Sequence, residues 1–130
     1  MNCVLCDRAL ESSAHLFLFC EVSIKVWTEV LRWLGFSYQT PPDLFCHWQW
    51  WNAAARGKKV RKGYRIVWHA AIWSILKARN DAIFENYASG IEEVVENIKV
   101  LSWRWMLTRL TVPACLFYEW CWNPKECLLR

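Results

Sequence analysis

Apolar residues return at helical spacing in three separate stretches of the chain. In residues 21 to 34 they are Ile24, Trp27, Val30, Leu31 and Leu34, while Lys25, Thr28, Glu29 and Arg32 fall mostly on the other side. That period predicts an amphipathic helix, and Gly35 is a fitting C-terminal stop. In residues 64 to 86, Val67, Trp68, Ala71, Ile72, Ile75, Leu76 and Ile83 build a broad apolar face, which predicts the longest helix. A third stripe, Ile91, Val94, Val95, Ile98, Leu101, Trp105 and Leu110, predicts a helix over 91–110. Ser89 is its expected cap, and Glu92 and Glu93 suit the positive end of its dipole. The short break at Ser89 and Gly90 then makes the last two helices an antiparallel hairpin. Trp27, Trp33 and Trp73 are expected in the core, because apolar residues at helical period usually pack there. His69 is expected to be a half-buried histidine and not a ligand or a base.

The segments between are less regular. Pro41 and Pro42 make residues 38 to 43 a loop, since proline stops a helix and disfavours it one residue earlier. Residues 44 to 51, LFCHWQWW, predict a short aromatic helix. Cys46 and His47 are adjacent but lack two further ligands nearby, so they read as a buried thiol beside a polar histidine. Pro113 is expected to end the third helix. Beyond it Cys115, Cys121 and Cys127 are spaced in a way that matches no metal pattern. This tail either packs as a short helix over the hairpin or lies disordered.

Candidate chemistry is concentrated at the other end. Cys3, Cys6, His15 and Cys20 stand as C-x2-C-x8-H-x4-C. Two thiolates in a tight turn grip one side of a metal, and an imidazole and a third thiolate complete a tetrahedron. A Cys3His set is a closed structural site for one Zn2+, with no position left for a reacting water. On a regular helix His15 and Cys20 would point about 140° apart, so the chain must leave helical geometry near Cys20. Ser12 or Ser13 can cap a short helix carrying His15, with Leu16, Phe17 and Phe19 packing behind the metal. The alternative is a set of ordinary buried thiols and a surface histidine.

These residues carry a resemblance. The sequence CVLCDRALESSAHLFLFCEVSIKVW is similar to the zinc-binding domain that follows the polymerase region in plant non-LTR retrotransposon reverse transcriptases. The likeness runs through Cys3, Cys6, Glu11, Ser12, His15 to Phe17, Cys20, Val26 and Trp27. A second segment, IWSILKARNDAIFEN, resembles the same family through Ile72, Trp73, Arg79, Asn80, Ile83 and Phe84. A weaker likeness runs through Phe117 to Trp120. The resemblance implies a zinc-binding module of a retroelement-derived protein. Members of that family carry a further helical stretch before the first Cys, whereas here Met1 stands two residues before it, so a truncated copy is expected.

Together these readings predict a mainly α fold in one compact domain. Its parts are a zinc knuckle and first helix (1–35), an aromatic-rich linker (36–57), a helical hairpin (58–110) and an aromatic-rich C-terminal tail (111–130). A chain of 130 residues suits one domain with a modest core. Eleven Trp and 55% hydrophobic residues exceed what such a core needs, so exposed Trp residues facing a protein partner are one expectation. Seven cysteines is an odd count, and no signal-peptide pattern follows Met1. Free thiols in a reducing compartment follow, and with them an intracellular protein of nucleus or cytoplasm, not secreted. No apolar stretch is long enough to span a bilayer.

The net charge of +4 is modest, but it is unevenly placed. Arg56, Lys58, Lys59, Arg61, Lys62 and Arg65 form a run with no acid. Such residues neutralise phosphates and bind nucleic acid with little regard to sequence; the alternative is a solvated loop leading into a helix. Arg104 and Arg109 could add to the run. The three aspartates are isolated, the four glycines are scattered, and no Ser, His and acid grouping suggests a nucleophile relay. No catalytic residues and no small-molecule substrate are expected. The reading is a zinc-binding, non-catalytic accessory domain derived from a retrotransposon reverse transcriptase, contacting RNA or DNA through the basic segment. The alternatives are a protein-interaction or structural module, or a non-functional retroelement remnant.

Overall fold

Glycine and the indole N–H do much to shape this fold. The computed structural model describes residues 1–110 and 115–130, so the expected stop at Pro113 lies outside the described residues. The described residues hold one π turn, His15–Phe19, and six helices: α1 (Glu21–Leu34), α2 (Leu44–Ala54), α3 (Lys58–Phe84), α4 (Ile91–Arg109), α5 (Phe117–Trp122) and α6 (Pro124–Leu129). There is no strand among them, only an isolated antiparallel bridge between Asn2 and Leu10. The fold is mainly α, as the apolar spacing predicts.

The first helix has the predicted bounds. It buries Val26, Trp27, Val30, Leu31 and Leu34, and Gly35 closes it with φ +94°, a left-handed conformation natural to glycine. Asp43 caps α2 by accepting from the Cys46 N–H at 2.7 Å. The long helix α3 starts at Lys58, six residues before the predicted start at 64. Val60, Gly63 and Tyr64 continue its buried stripe toward the N-terminus, and Lys and Arg are good helix formers. The basic run is therefore mostly helix and not loop. The cap of α4 is Gly90 with no side-chain bond, so Ser89 does not fill the predicted role.

α3 packs along α4 as the predicted hairpin, and α1 packs on α4. The core between them is Trp27, Leu31, Val67, Ala71, Ile75, Val94 and Ile98. The tail is ordered onto this core as two short helices. α6 reaches α3 where Gly63 leaves room: a Cβ there would lie 2.3 Å from both δ carbons of Leu128. Trp33 donates to the Cys121 carbonyl at 3.0 Å, Trp103 to the Cys115 carbonyl at 2.8 Å, and Trp120 to Ser102 Oγ at 3.1 Å. Cys115 and Cys127, both buried, are joined as a disulfide with Cα atoms 6.1 Å apart. This departs from the expectation of free thiols and pairs two tail cysteines whose spacing matched no metal pattern: folding α5 back beside α6 brings the two residues together across 12 positions.

Most of the aromatic excess is internal. Eight of the eleven tryptophans are buried or half-buried; Trp50, Trp73 and Trp122 are exposed. Trp73, expected in the core, is 53% exposed because it falls on the side of α3 opposite the buried Ala71 and Ile75, each two residues away. His69 is likewise exposed, against the rings of Trp48 and Trp68.

Candidate metal centre

The first twenty residues fold back on themselves to bring four donors together. The Cys3 N–H donates to the Ala9 carbonyl and the Asp7 N–H to the Cys3 carbonyl, both at 2.7 Å. These bonds close the loop carrying Cys3 and Cys6, and Asp7 takes a positive φ of 55° at its corner. Ser12 then accepts from the His15 N–H at 3.0 Å, as the sequence predicts of a serine there. The turn that follows is π, wider than an α turn, and Cys20 leaves it in extended conformation with its N–H on the His15 carbonyl at 2.6 Å. The required departure from helical geometry is thus met by one widened turn and one extended residue.

The four predicted residues converge. The sulfurs of Cys3 and Cys20 are 3.8 Å apart, and Cys6 Sγ lies 3.3 Å from His15 Nε2. All four donor atoms lie within 4.8 Å of one another, and the set can hold a metal ion. Cys3 and Cys20 are fully buried, while Cys6 and His15 are half-buried at the rim. Burial, with the neighbouring Cys3 adding to it, pushes the Cys20 thiol up to about 12. A bond from the Arg8 backbone brings Cys6 down to about 7, assisted by His15 and the other two thiols. Thiols crowded this closely resist ionising together, and a cation in their midst removes that resistance.

The shell behind the donors differs in part from expectation. Leu16 and Leu18 are buried and Phe17 is half-buried, but Phe19 is 45% exposed. The π turn moves Phe19 outward and puts Leu18 in the core. Ser23 donates to the Leu16 carbonyl, and Trp27 donates to the Phe17 carbonyl at 2.7 Å, so α1 holds the turn in place. The salient missed residue is Glu11. Its carboxylate takes two bonds from Arg79 of α3, at 2.6 Å and 3.3 Å. The Arg79 guanidinium holds the Glu11 carboxyl below its ordinary range, and Glu11 raises Arg79 in return. Both residues stand in the two segments that carry the resemblance, but nothing in the spacing pairs them.

The six basic residues run from the end of the α2–α3 connection into the first turns of α3. Arg56, Lys58, Lys59, Arg61, Lys62 and Arg65 are all exposed, and none pairs with an Asp or Glu side chain among the described residues; Lys59 Nζ donates to the Arg130 main-chain oxygen at 3.3 Å. Lys58, Arg61, Lys62 and Arg65 recur at helical spacing and so share one face of α3. The first turn of α3 holds no acid. Arg104 is exposed, and Arg109 lies over Trp105 at 4.9 Å. Cys46 and His47 lie in the first turn of α2, and Cys46, expected as a buried thiol, is half-buried. His47 is 2% exposed, accepts from Trp68 through Nδ1 at 2.7 Å, and is held down to about 4 by burial. No helix of the described residues is long and apolar enough to cross a membrane.

Comparison with family models, curated proteins and solved structures finds no match to this chain.

Proposed function

We propose that the chain is a zinc-binding, non-catalytic accessory domain derived from a retrotransposon reverse transcriptase, which contacts RNA or DNA through its basic segment inside the cell. The observation that carries the zinc reading is the spacing of the four donors. Zn–S bonds of about 2.3 Å and Zn–N bonds of about 2.0–2.1 Å, set tetrahedrally, require edges of about 3.8 Å between sulfurs and about 3.6 Å from sulfur to nitrogen. Cys3 to Cys20 is 3.8 Å and Cys6 to His15 is 3.3 Å. The soft thiolate-rich donor set favours zinc over magnesium or calcium. Cys3, Cys6, His15 and Cys20 would hold the ion. Zinc bound there supplies folding free energy to a segment whose own core is small.

The nucleic-acid part of the reading is supported by six exposed cations, none paired with an Asp or Glu side chain among the described residues and four of them along one helix face. Cations at a helix N-terminus oppose its dipole, and bound phosphates relieve that opposition. The arrangement suits sequence-nonspecific contact. A second reading, a protein-interaction module, is favoured by Trp122, which is 87% exposed beside Tyr118 at 71%.

The first test is metal content of the purified protein beside thermal melts with and without chelator. The expected result is one zinc per chain, lost together with the cooperative melt and abolished by Cys6→Ser. An unchanged melt without metal would sink the zinc reading. Binding of labelled RNA and DNA is then measured across salt. Affinity that ignores salt, or survives neutralising all six basic residues, would remove the nucleic-acid reading.

A further inference from the structure

We infer that the groove between α2 and α3 seats the bases of single-stranded nucleic acid. The inference rests on the nucleic-acid reading above and narrows it to a strand form and a place. The groove has a volume of about 510 Å³ and is walled by Phe45, Trp48, Gln49, Asn52, Arg61 and Arg65. No carboxylate lines it.

Its parts are arranged as a stacking platform beside a phosphate track. Phe45 is 67% exposed, an open aromatic ring at the start of α2. Trp48 is one helical turn further on. Its ring is braced from behind by Trp68 at 4.7 Å and His69 at 5.4 Å, so it is held before any ligand arrives. The Arg65 guanidinium lies over the Trp48 ring at 5.9 Å. Asn52 fixes both arginines: its carbonyl accepts from Arg61 Nε at 3.3 Å, and its side-chain oxygen accepts from Arg65 Nε. The Asn52 amide is itself oriented by donating to the Trp48 carbonyl at 2.7 Å. With Nε engaged, the outer N–H groups of both guanidinium forks are left to bond phosphate oxygens.

Duplex nucleic acid presents its phosphates but hides its base faces, so it would engage the cations and leave Phe45 idle. A single strand offers phosphates and unstacked bases together, and aromatic side chains beside a cationic groove are the usual means of holding it. Charge complementarity thus selects a polyanion, and the exposed ring selects a single-stranded one.

The test uses the zinc-loaded full chain with fluorescent oligo(dT), oligo(U) and a mixed-sequence duplex. Phe45→Ala, at a surface position, should leave the thermal melt unchanged. It should weaken single-strand binding by about 5- to 150-fold, the effect of losing one stacked base, and leave duplex binding unchanged. Its salt slope should equal that of wild type, because no phosphate contact is lost. Arg61→Gln with Arg65→Gln should instead flatten the single-strand slope by about 1.4, at about 0.7 per phosphate. If Phe45→Ala binds single strands as wild type does, while neutralising all six basic residues abolishes binding, the groove inference is overturned and the wider reading stands. If the wild-type protein shows no salt-dependent binding to any of the three probes, both fall.

Discussion

Adding a single methyl group at Gly63 tests how the tail is docked. Gly63→Ala places a Cβ 2.3 Å from Leu128 Cδ1 and Cδ2 and 2.9 Å from Cγ. Carbon atoms pack at about 3.5–4.0 Å, so the overlap exceeds an ångström. Leu128 is completely buried, so its side chain must move within a packed site to make room. Overpacking of this kind costs about 1–3 kcal/mol. Alanine in place of glycine in a helix returns about 1 kcal/mol. The net effect is a destabilisation of about 0–2 kcal/mol from these two terms. Leu128→Ala alone should cost about 2–5 kcal/mol by leaving a cavity. In that background Gly63→Ala should turn neutral or stabilising, because the new methyl enters the vacated space. Urea melts of the two single variants and the double variant give the coupling directly. If Gly63→Ala stabilises the wild-type chain by the full helix-propensity gain, α6 does not sit against Gly63 and the docking is wrong.

Three further outcomes are expected. His47 is held at about 4, below its ordinary 6.5, by burial. Its contribution is therefore complete above about pH 6.5 and is lost as pH falls toward 4, an effect of roughly 3 kcal/mol. Acid also protonates the four candidate metal donors in both proteins, so the readout is the difference from His47→Asn, whose stability should fall less over that window; parallel curves would refute it. Glu11→Gln and Arg79→Gln should each destabilise the knuckle, and a double-mutant cycle should return about 1–3 kcal/mol of coupling for this half-buried charged bond; a coupling near zero would mean the two ends are held independently. Because Arg79 lowers the Glu11 carboxyl, that coupling is present at neutral pH and disappears on acidification. Reducing Cys115–Cys127 should lower unfolding free energy by about 3 kcal/mol on a chain-entropy estimate for a loop of this length; thiol counting of the unfolded protein with and without reductant shows whether the bridge was present.

The parts legible in the sequence were those written as local periodicity. Helix α1 ended at Gly35 because apolar spacing and a glycine stop agreed there. The start of α3 was hidden because charged residues interrupt the visible stripe: Val60 and Tyr64 are its buried members among six cations, and Tyr64 packs against Leu34, Phe36 and Trp51, which are distant in sequence. Trp73 reads as core by residue type, yet two residues of rotation from Ala71 place it in solvent. The donors Cys3, Cys6, His15 and Cys20 were legible because ligand chemistry demands short fixed gaps. The link from Glu11 to Arg79 spans 68 positions, and the Cys115–Cys127 pair depends on how two short helices fold back. Both are products of tertiary packing and leave no local trace.

The indole hydrogen bonds turn the tryptophans into separately addressable reporters. Trp27 donates across the knuckle seam to Phe17, and Trp51 and Trp68 donate across the α2–α3 seam to Tyr64 and His47. Trp33, Trp103 and Trp120 donate across the seams that hold the tail. A bonded, shielded indole proton exchanges with solvent only when its seam opens. The indole region of one nitrogen–proton spectrum, followed during exchange into heavy water, therefore ranks the three seams by local stability. On the zinc proposal, chelation should release the Trp27 proton first and leave the tail's three protected longest, so the order of disappearance would map how far loss of a metal reaches into the chain.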